Sequence, residues 1–139
     1  MAATVAQAVR QHGTPAYDSI WAEDGHAFLT DAIADPWDVG RPLANYLQVL
    51  PRIIAGLIVQ VPLSHAAGLV ASSAAMVVAL VSVYVFLASR PLLPVTWQRA
   101  ALAVVFVAAP WAGFETNATI NNLHWYLNFA AFFALAPWA

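Results

Sequence analysis

The stretch "AAGLVASSAAMVVALVSVYVFLA", Ala66–Ala88, decides the fold of this chain. It holds no charged residue and no proline, and as a helix rising about 1.5 Å per residue it reaches about 34 Å. That length suffices to cross a hydrocarbon core of about 30 Å with some tilt. Ser64 just ahead of it is placed to act as the helix N-cap. Within the stretch Ala67, Ala71, Ala75 and Ala79 recur every fourth residue, beside Gly68 and Ser72. Small residues on one face allow a second helix to approach closely, a packing feature without chemistry of its own.

The surroundings have the same character. Of 139 residues 62% are hydrophobic and 9% charged, with mean hydropathy +0.70. A soluble domain is nearer about 45–50% apolar and about 25% charged. Two further apolar segments follow, "AALAVVFVAAPWAG" (Ala100–Gly113), with Pro110 tolerable in a membrane helix, and "LHWYLNFAAFFALAPWA" (Leu123–Ala139). Neither alternates in the manner of a strand, so helices are expected and not a barrel. The fold expected is an all-α integral membrane protein with about three transmembrane helices, over residues 66–88, 97–114 and 122–138, within a helical region 64–139.

Charge is confined to particular places. Six of the seven acids lie before residue 40, and the seventh is Glu115. The loop "SRPLLPVTWQR" holds Arg90 and Arg99 and no acid, which assigns it to the cytoplasm. The acidic segment 1–42 and the "FETNATINN" loop then share the exoplasmic side, as does Arg52, against the general trend. A net charge of -2 without a single lysine gives no sign of a nucleic-acid partner, and none is expected, while the lack of cysteine excludes disulfides and thiolate metal sites. "MAATVAQAVRQHG" has no signal-peptide pattern, and Asn117-Ala118-Thr119 matches a glycosylation sequon of low specificity.

Three polar constellations interrupt the apolar background. In "IWAEDGHAFLTDA" (Ile20–Ala32), Asp24 before Gly25 suits a helix cap. Phe28, Leu29, Ala32 and Ile33 then form one apolar face on the membrane surface, with Trp21 and Phe28 as headgroup-level anchors. Pro36 stops that helix. The alternative is functional: adjacent carboxylates Glu23 and Asp24 are candidates to bind a divalent cation or to take a proton from a hydroxyl. In "LANYLQVLPRIIAGLIVQVPL" (Leu43–Leu63), Pro51 suits the first turn of a juxtamembrane or re-entrant helix, within 43–63. Arg52 there either snorkels to headgroups or binds a lipid phosphate. In "NATINNLHWYLN", Asn121, His124 or Trp125, and Asn128 share one helix face. His124 is a candidate pocket ligand or proton carrier, against an interfacial belt with Trp125 and Tyr126.

Taken in order, "WAEDG", "YLQVLPR" and "NNLHWYL" resemble the N-terminal part of bacterial polytopic membrane proteins related to the C-type (GT-C) glycosyltransferases, over roughly Trp21 to the end. The resemblance implies an inner-membrane, multi-pass enzyme that takes sugar from a polyprenyl-phosphate donor at the outer surface. It implies Asp24 or Glu23 as the base or metal-associated carboxylate, Arg52 as a donor-phosphate contact, and Asn121 and His124 as cleft-lining residues. Such enzymes open with a membrane helix ahead of the acidic loop and carry many more spans. The chain is therefore expected to be a fragment, inactive alone. The competing expectation is a small non-enzymatic membrane protein, an assembly partner or a transporter subunit, whose acidic segment is merely solvated.

Overall fold

The computed structural model describes residues 15–108 and 118–135, and among them every regular element is helical. A π-helical turn, Asp24–Leu29, runs directly into α1 (Thr30–Ala34). After a loop comes α2 (Val49–Ile58), then a 3-10 turn (Leu63–His65) that feeds α3 (Ala66–Ala88). The last two helices are α4 (Thr96–Ala108) and α5 (Leu123–Leu135). The parts of the expected second and third spans at 109–114 and 136–138 lie outside the described residues, as do Pro110, Glu115 and Asn117. Among the described residues one helix, Leu63–Ala88 counting the turn that feeds α3, is long and apolar enough to cross a membrane, at 26 residues and mean hydropathy 2.3.

α3 is the scaffold. It packs along α4 and α5 and, near its start, against α2. Its buried line is Ala66, Val70, Ala74, Val78, Val81 and Val85, at helical spacing. Ala71 and Ala75 are buried as expected, but Ala67 and Ala79 are only half-buried and Ser72 is exposed. The packed face is thus rotated from the four-alanine line, because valines at 70, 78, 81 and 85 offer more surface to bury than alanine. Ser82 Oγ donates to the Ala103 carbonyl at 2.6 Å, tying α3 to α4 within the buried interface. On the opposite face Met76, Leu80, Val83 and Leu87 form an exposed apolar line, each more than half exposed.

Ser64 does not cap α3. It sits inside the 3-10 turn, and His65 takes the cap position without a side-chain hydrogen bond. Pro51 does lie in the first turn of α2, where its missing N–H costs nothing.

One core joins the acidic segment to α2 and to the starts of α3 and α5. Phe28, Leu29 and Ala32 pack with Ile54, Ala55 and Ile58 of α2, with Ala66 and Val70 of α3, and with Ile120 and Leu123 at the start of α5. Phe28 is therefore a core residue and not a headgroup anchor, while Ile33, expected on the same face, is 59% exposed. The loop after α1 is seated on α2 at Gly56, where a Cβ would overlap the Pro36 carbonyl oxygen. Gly56→Ala must push that backbone aside, and we expect a cost of about 1–3 kcal/mol. The check is thermal unfolding in detergent; an unchanged midpoint would mean that the loop does not rest there.

Candidate functional site

Glu23 and Asp24 are neighbours in sequence and part company in space. Successive residues on a helix point roughly a quarter turn apart or more, so when one faces the core the next need not. Asp24 is fully buried, and Glu23 is exposed. The Asp24 carboxylate bridges to a segment 96 and 97 positions away: Oδ2 accepts the Ile120 N–H and Oδ1 the Asn121 N–H, both at 2.9 Å. These N–H groups belong to the turn just ahead of α5, so the carboxylate lies toward the end of that helix where a negative charge complements its dipole. Asp24 thus makes no cap bond to its own helical turn, where it was expected to act; its carboxylate instead fastens the turn that precedes a distant helix.

Burial pushes the Asp24 carboxyl up from its ordinary 3.8 to about 6; the two backbone N–H groups oppose the shift and Glu23 adds to it. The folded state therefore holds this proton more tightly than the unfolded chain. The stabilisation from that proton is complete below pH 3.8 and is lost as pH rises through about 6. In Asp24→Asn the amide oxygen can accept one N–H, while its NH2 faces the other, leaving a buried donor unpaired at a cost of about 1–3 kcal/mol. The destabilisation should be largest in acid and shrink as pH rises through about 6, measured as the difference between wild-type and variant melting curves. A difference that grows with pH would contradict this placement of the proton.

The clamp organises a cleft of about 840 Å³. Glu23 enters from the acidic segment, Asn121, His124, Trp125 and Asn128 from α5 and the residues before it, and Leu43–Gln48 from the opposite wall. That wall begins with a tight turn. Leu43 and Tyr46 exchange both backbone hydrogen bonds at 2.9 Å, and Ala44 and Asn45 take left-handed φ values of 49° and 66°. Asparagine tolerates this conformation and alanine does so at a steric cost, so the surrounding structure holds the turn in place. Ala118, at φ 57°, carries the same strain beside the Asp24 clamp. Gln48 Nε2 donates to Asn121 Oδ1 at 3.2 Å, joining the two walls. His124 Nδ1 lies 2.9 Å from the Asn121 carbonyl. A carbonyl only accepts, so this contact calls for a proton on Nδ1.

Four of the five site residues expected from sequence meet here, with Glu23, Asn121 and His124 on the cleft and Asp24 behind it. Arg52 does not line it. Its guanidinium is 4% exposed, donates to Asp31 Oδ2 at 3.1 Å and lies 5.5 Å from the Phe28 ring centroid. A half-buried Asp31 thus draws it inward, while the exposed Arg41 holds the other Asp31 oxygen at 2.9 Å. Gln48, Tyr46 and Asn45 were not singled out from sequence. The only signal was three polar-tipped residues, "NYLQ", within an apolar run.

A divalent cation does not fit the acidic pair. Both Asp24 oxygens are committed to N–H donors, Glu23 is directed elsewhere, and no cluster of three or more potential ligands gathers among the described residues. In comparisons with known proteins, no family model, curated protein or solved structure matches the chain.

Proposed function

We propose that the chain is the N-terminal part of a membrane glycosyltransferase of the C type, working at the outer face of a bacterial inner membrane with a polyprenyl-phosphate-linked sugar. The observation that carries this reading is the cleft that gathers Glu23, Asn121 and His124 from two motifs about a hundred positions apart in sequence. The exposed apolar line on α3, with Val104, Val105, Phe132 and Leu135 exposed on its neighbours, favours a lipid surround. In α2 Val49, Ile53 and Leu57 are exposed opposite its packed face, as suits a helix lying along the membrane. α4 and α5 are read as further spans, continuing through residues outside those described.

Glu23 is the base in this scheme. It takes the proton of an acceptor hydroxyl as that oxygen bonds to the anomeric carbon and the carbon–oxygen bond to the phosphate breaks, releasing polyprenyl phosphate. Asp24 is a positioning residue, buried beyond reach of substrate. It sets the start of α5, and with it Asn121 and His124, against Glu23.

The deciding experiment supplies radiolabelled polyprenyl-phosphate hexoses to membranes containing the protein with its natural flanking sequence. Label should leave the lipid fraction. No transfer from any such donor, with the protein folded and inserted, would favour a non-enzymatic assembly partner or transporter subunit. The orientation has its own check, since the chain has no cysteine. Asp38→Cys should be alkylated from outside intact cells and Val95→Cys only after permeabilisation; the reverse pattern would invert the topology.

A further inference from the structure

Two of the four described arginines are paired and two are not. Arg41 and Arg52 share the carboxylate of Asp31. Arg90 and Arg99 form no ion pair among the described residues, and no acid occurs in the sequence between Asp38 and Glu115. They flank the turn at residues 89–95 that joins α3 to α4. That turn is firmly built: Ser89 is fully buried, and its carbonyl accepts the N–H groups of Leu92 and Leu93 at 3.1 and 2.8 Å. Arg90 stands exposed beside it.

Arg99 is held in a fixed pose without an anion. Its guanidinium lies over the Phe86 ring, 4.8 Å from the centroid, and Nη2 donates to Thr96 Oγ1 at 3.2 Å. Nε is buried without an acceptor. The guanidinium is therefore partly desolvated, and a ring face and a hydroxyl offset that cost less well than an opposite charge would. Nη1 and one hydrogen of Nη2 remain open, the planar edge with which arginine receives two oxygens of a phosphate. An arginine that merely marks one side of a membrane needs no such fixation. The surface around the turn is apolar: Leu87, Leu92, Val95 and Trp97 are all exposed, Trp97 by 68%. A soluble phosphate would use the charge and leave these side chains in water. A phospholipid uses both, with acyl chains for the leucines and a headgroup level for the tryptophan.

We infer that the turn between α3 and α4 is a headgroup site for an anionic phospholipid, whose phosphate is held by Arg90 and Arg99 and whose acyl chains run beside Leu87, Leu92 and Trp97. The site requires the turn to lie at a membrane surface, on whichever side, and it is independent of sugar transfer.

The test titrates the protein with its natural flanking sequence, purified in detergent, with phosphatidylglycerol and separately with phosphatidylcholine. Retained lipid is counted by native mass spectrometry. Phosphatidylglycerol should bind about tenfold more tightly, since each arginine near an anionic headgroup is worth about fivefold. Arg90→Gln changes an exposed side chain and leaves the packing intact, and it should weaken phosphatidylglycerol binding about fivefold. Arg99→Gln should weaken it at least as much. Arg99→Lys should regain only part of that loss, because an ammonium keeps the charge and lacks the planar fork. Arg41→Gln, which alters an exposed arginine paired elsewhere, should leave binding unchanged. Equal binding of the two lipids, unaltered affinity in Arg90→Gln, full recovery by lysine or the same loss in Arg41→Gln would each overturn the inference. So would displacement of phosphatidylglycerol by an equal concentration of soluble glycerol phosphate, which would show an anion site indifferent to acyl chains.

Discussion

Replacing Glu23 by glutamine should lower sugar transfer by about 10²–10⁴-fold, the usual loss when a general base is removed. Glutamine keeps the length and shape of the side chain and discards the charge and the proton-accepting oxygen. Because Glu23 is exposed at the cleft, the variant should fold, insert and melt as the wild type does. Asp24→Asn is the complementary case. It disturbs a buried double hydrogen bond, so any loss of transfer there should accompany a lower melting midpoint and altered pH dependence. The two variants therefore separate chemistry from positioning, although they alter adjacent carboxylates. If Glu23→Gln retained full transfer, Glu23 would be a solvated surface acid and the proposed mechanism would lose its base.

Asp31→Ala should destabilise the protein by about 3–5 kcal/mol, the range for removing one partner of a buried ion pair. Arg52 is 4% exposed, and Asp31 is the one anionic partner with which it forms an ion pair among the described residues. Two of its nitrogens, Nε and Nη2, are already buried without an acceptor. Without Asp31 the guanidinium loses its ion pair and keeps only weaker offsets to its desolvation, the Phe28 ring face and the Asp35 and Asp38 side chains that line the same small cavity. Arg41, 57% exposed, simply returns to water. The informative contrast is Arg52→Met, which removes the buried charge and keeps an apolar side chain of comparable length. It should be far milder, near neutral, because desolvating an ion pair consumes much of what the pair returns. Both are read from denaturant or thermal unfolding in detergent. A loss below about 1 kcal/mol for Asp31→Ala, the scale of an exposed pair, would mean that Arg52 reaches water.

These two results bear on the same sequence segment, and they show where local reading stops. The sequence by itself determined what local composition and spacing control. Ala66–Ala88 is one uninterrupted helix because no proline or charge breaks it, and among the described residues it is the helix that is long enough to cross a membrane. Pro51 falls in the first turn of α2 because proline lacks only an N–H that this turn leaves unpaired anyway. That Glu23, Asp24, Asn121 and His124 belong together was an expectation drawn from the order of motifs, and it needed no contact information. Only the tertiary structure decided what each does within the group. Asp24 could not be separated from Glu23 in the sequence, since its partners are backbone N–H groups, which every residue but proline carries and which leave no mark at positions 120 and 121. Arg52 read as an interfacial phosphate ligand because an isolated arginine beside an apolar run has no visible counterion. Its counterion, Asp31, lies 21 positions earlier on another helix, and their pairing depends on how α1 is laid against α2. The wall at Leu43–Gln48 was hidden for a related reason. A turn with two left-handed residues normally announces itself by glycine, and here alanine and asparagine adopt it because the fold around them outweighs the local preference.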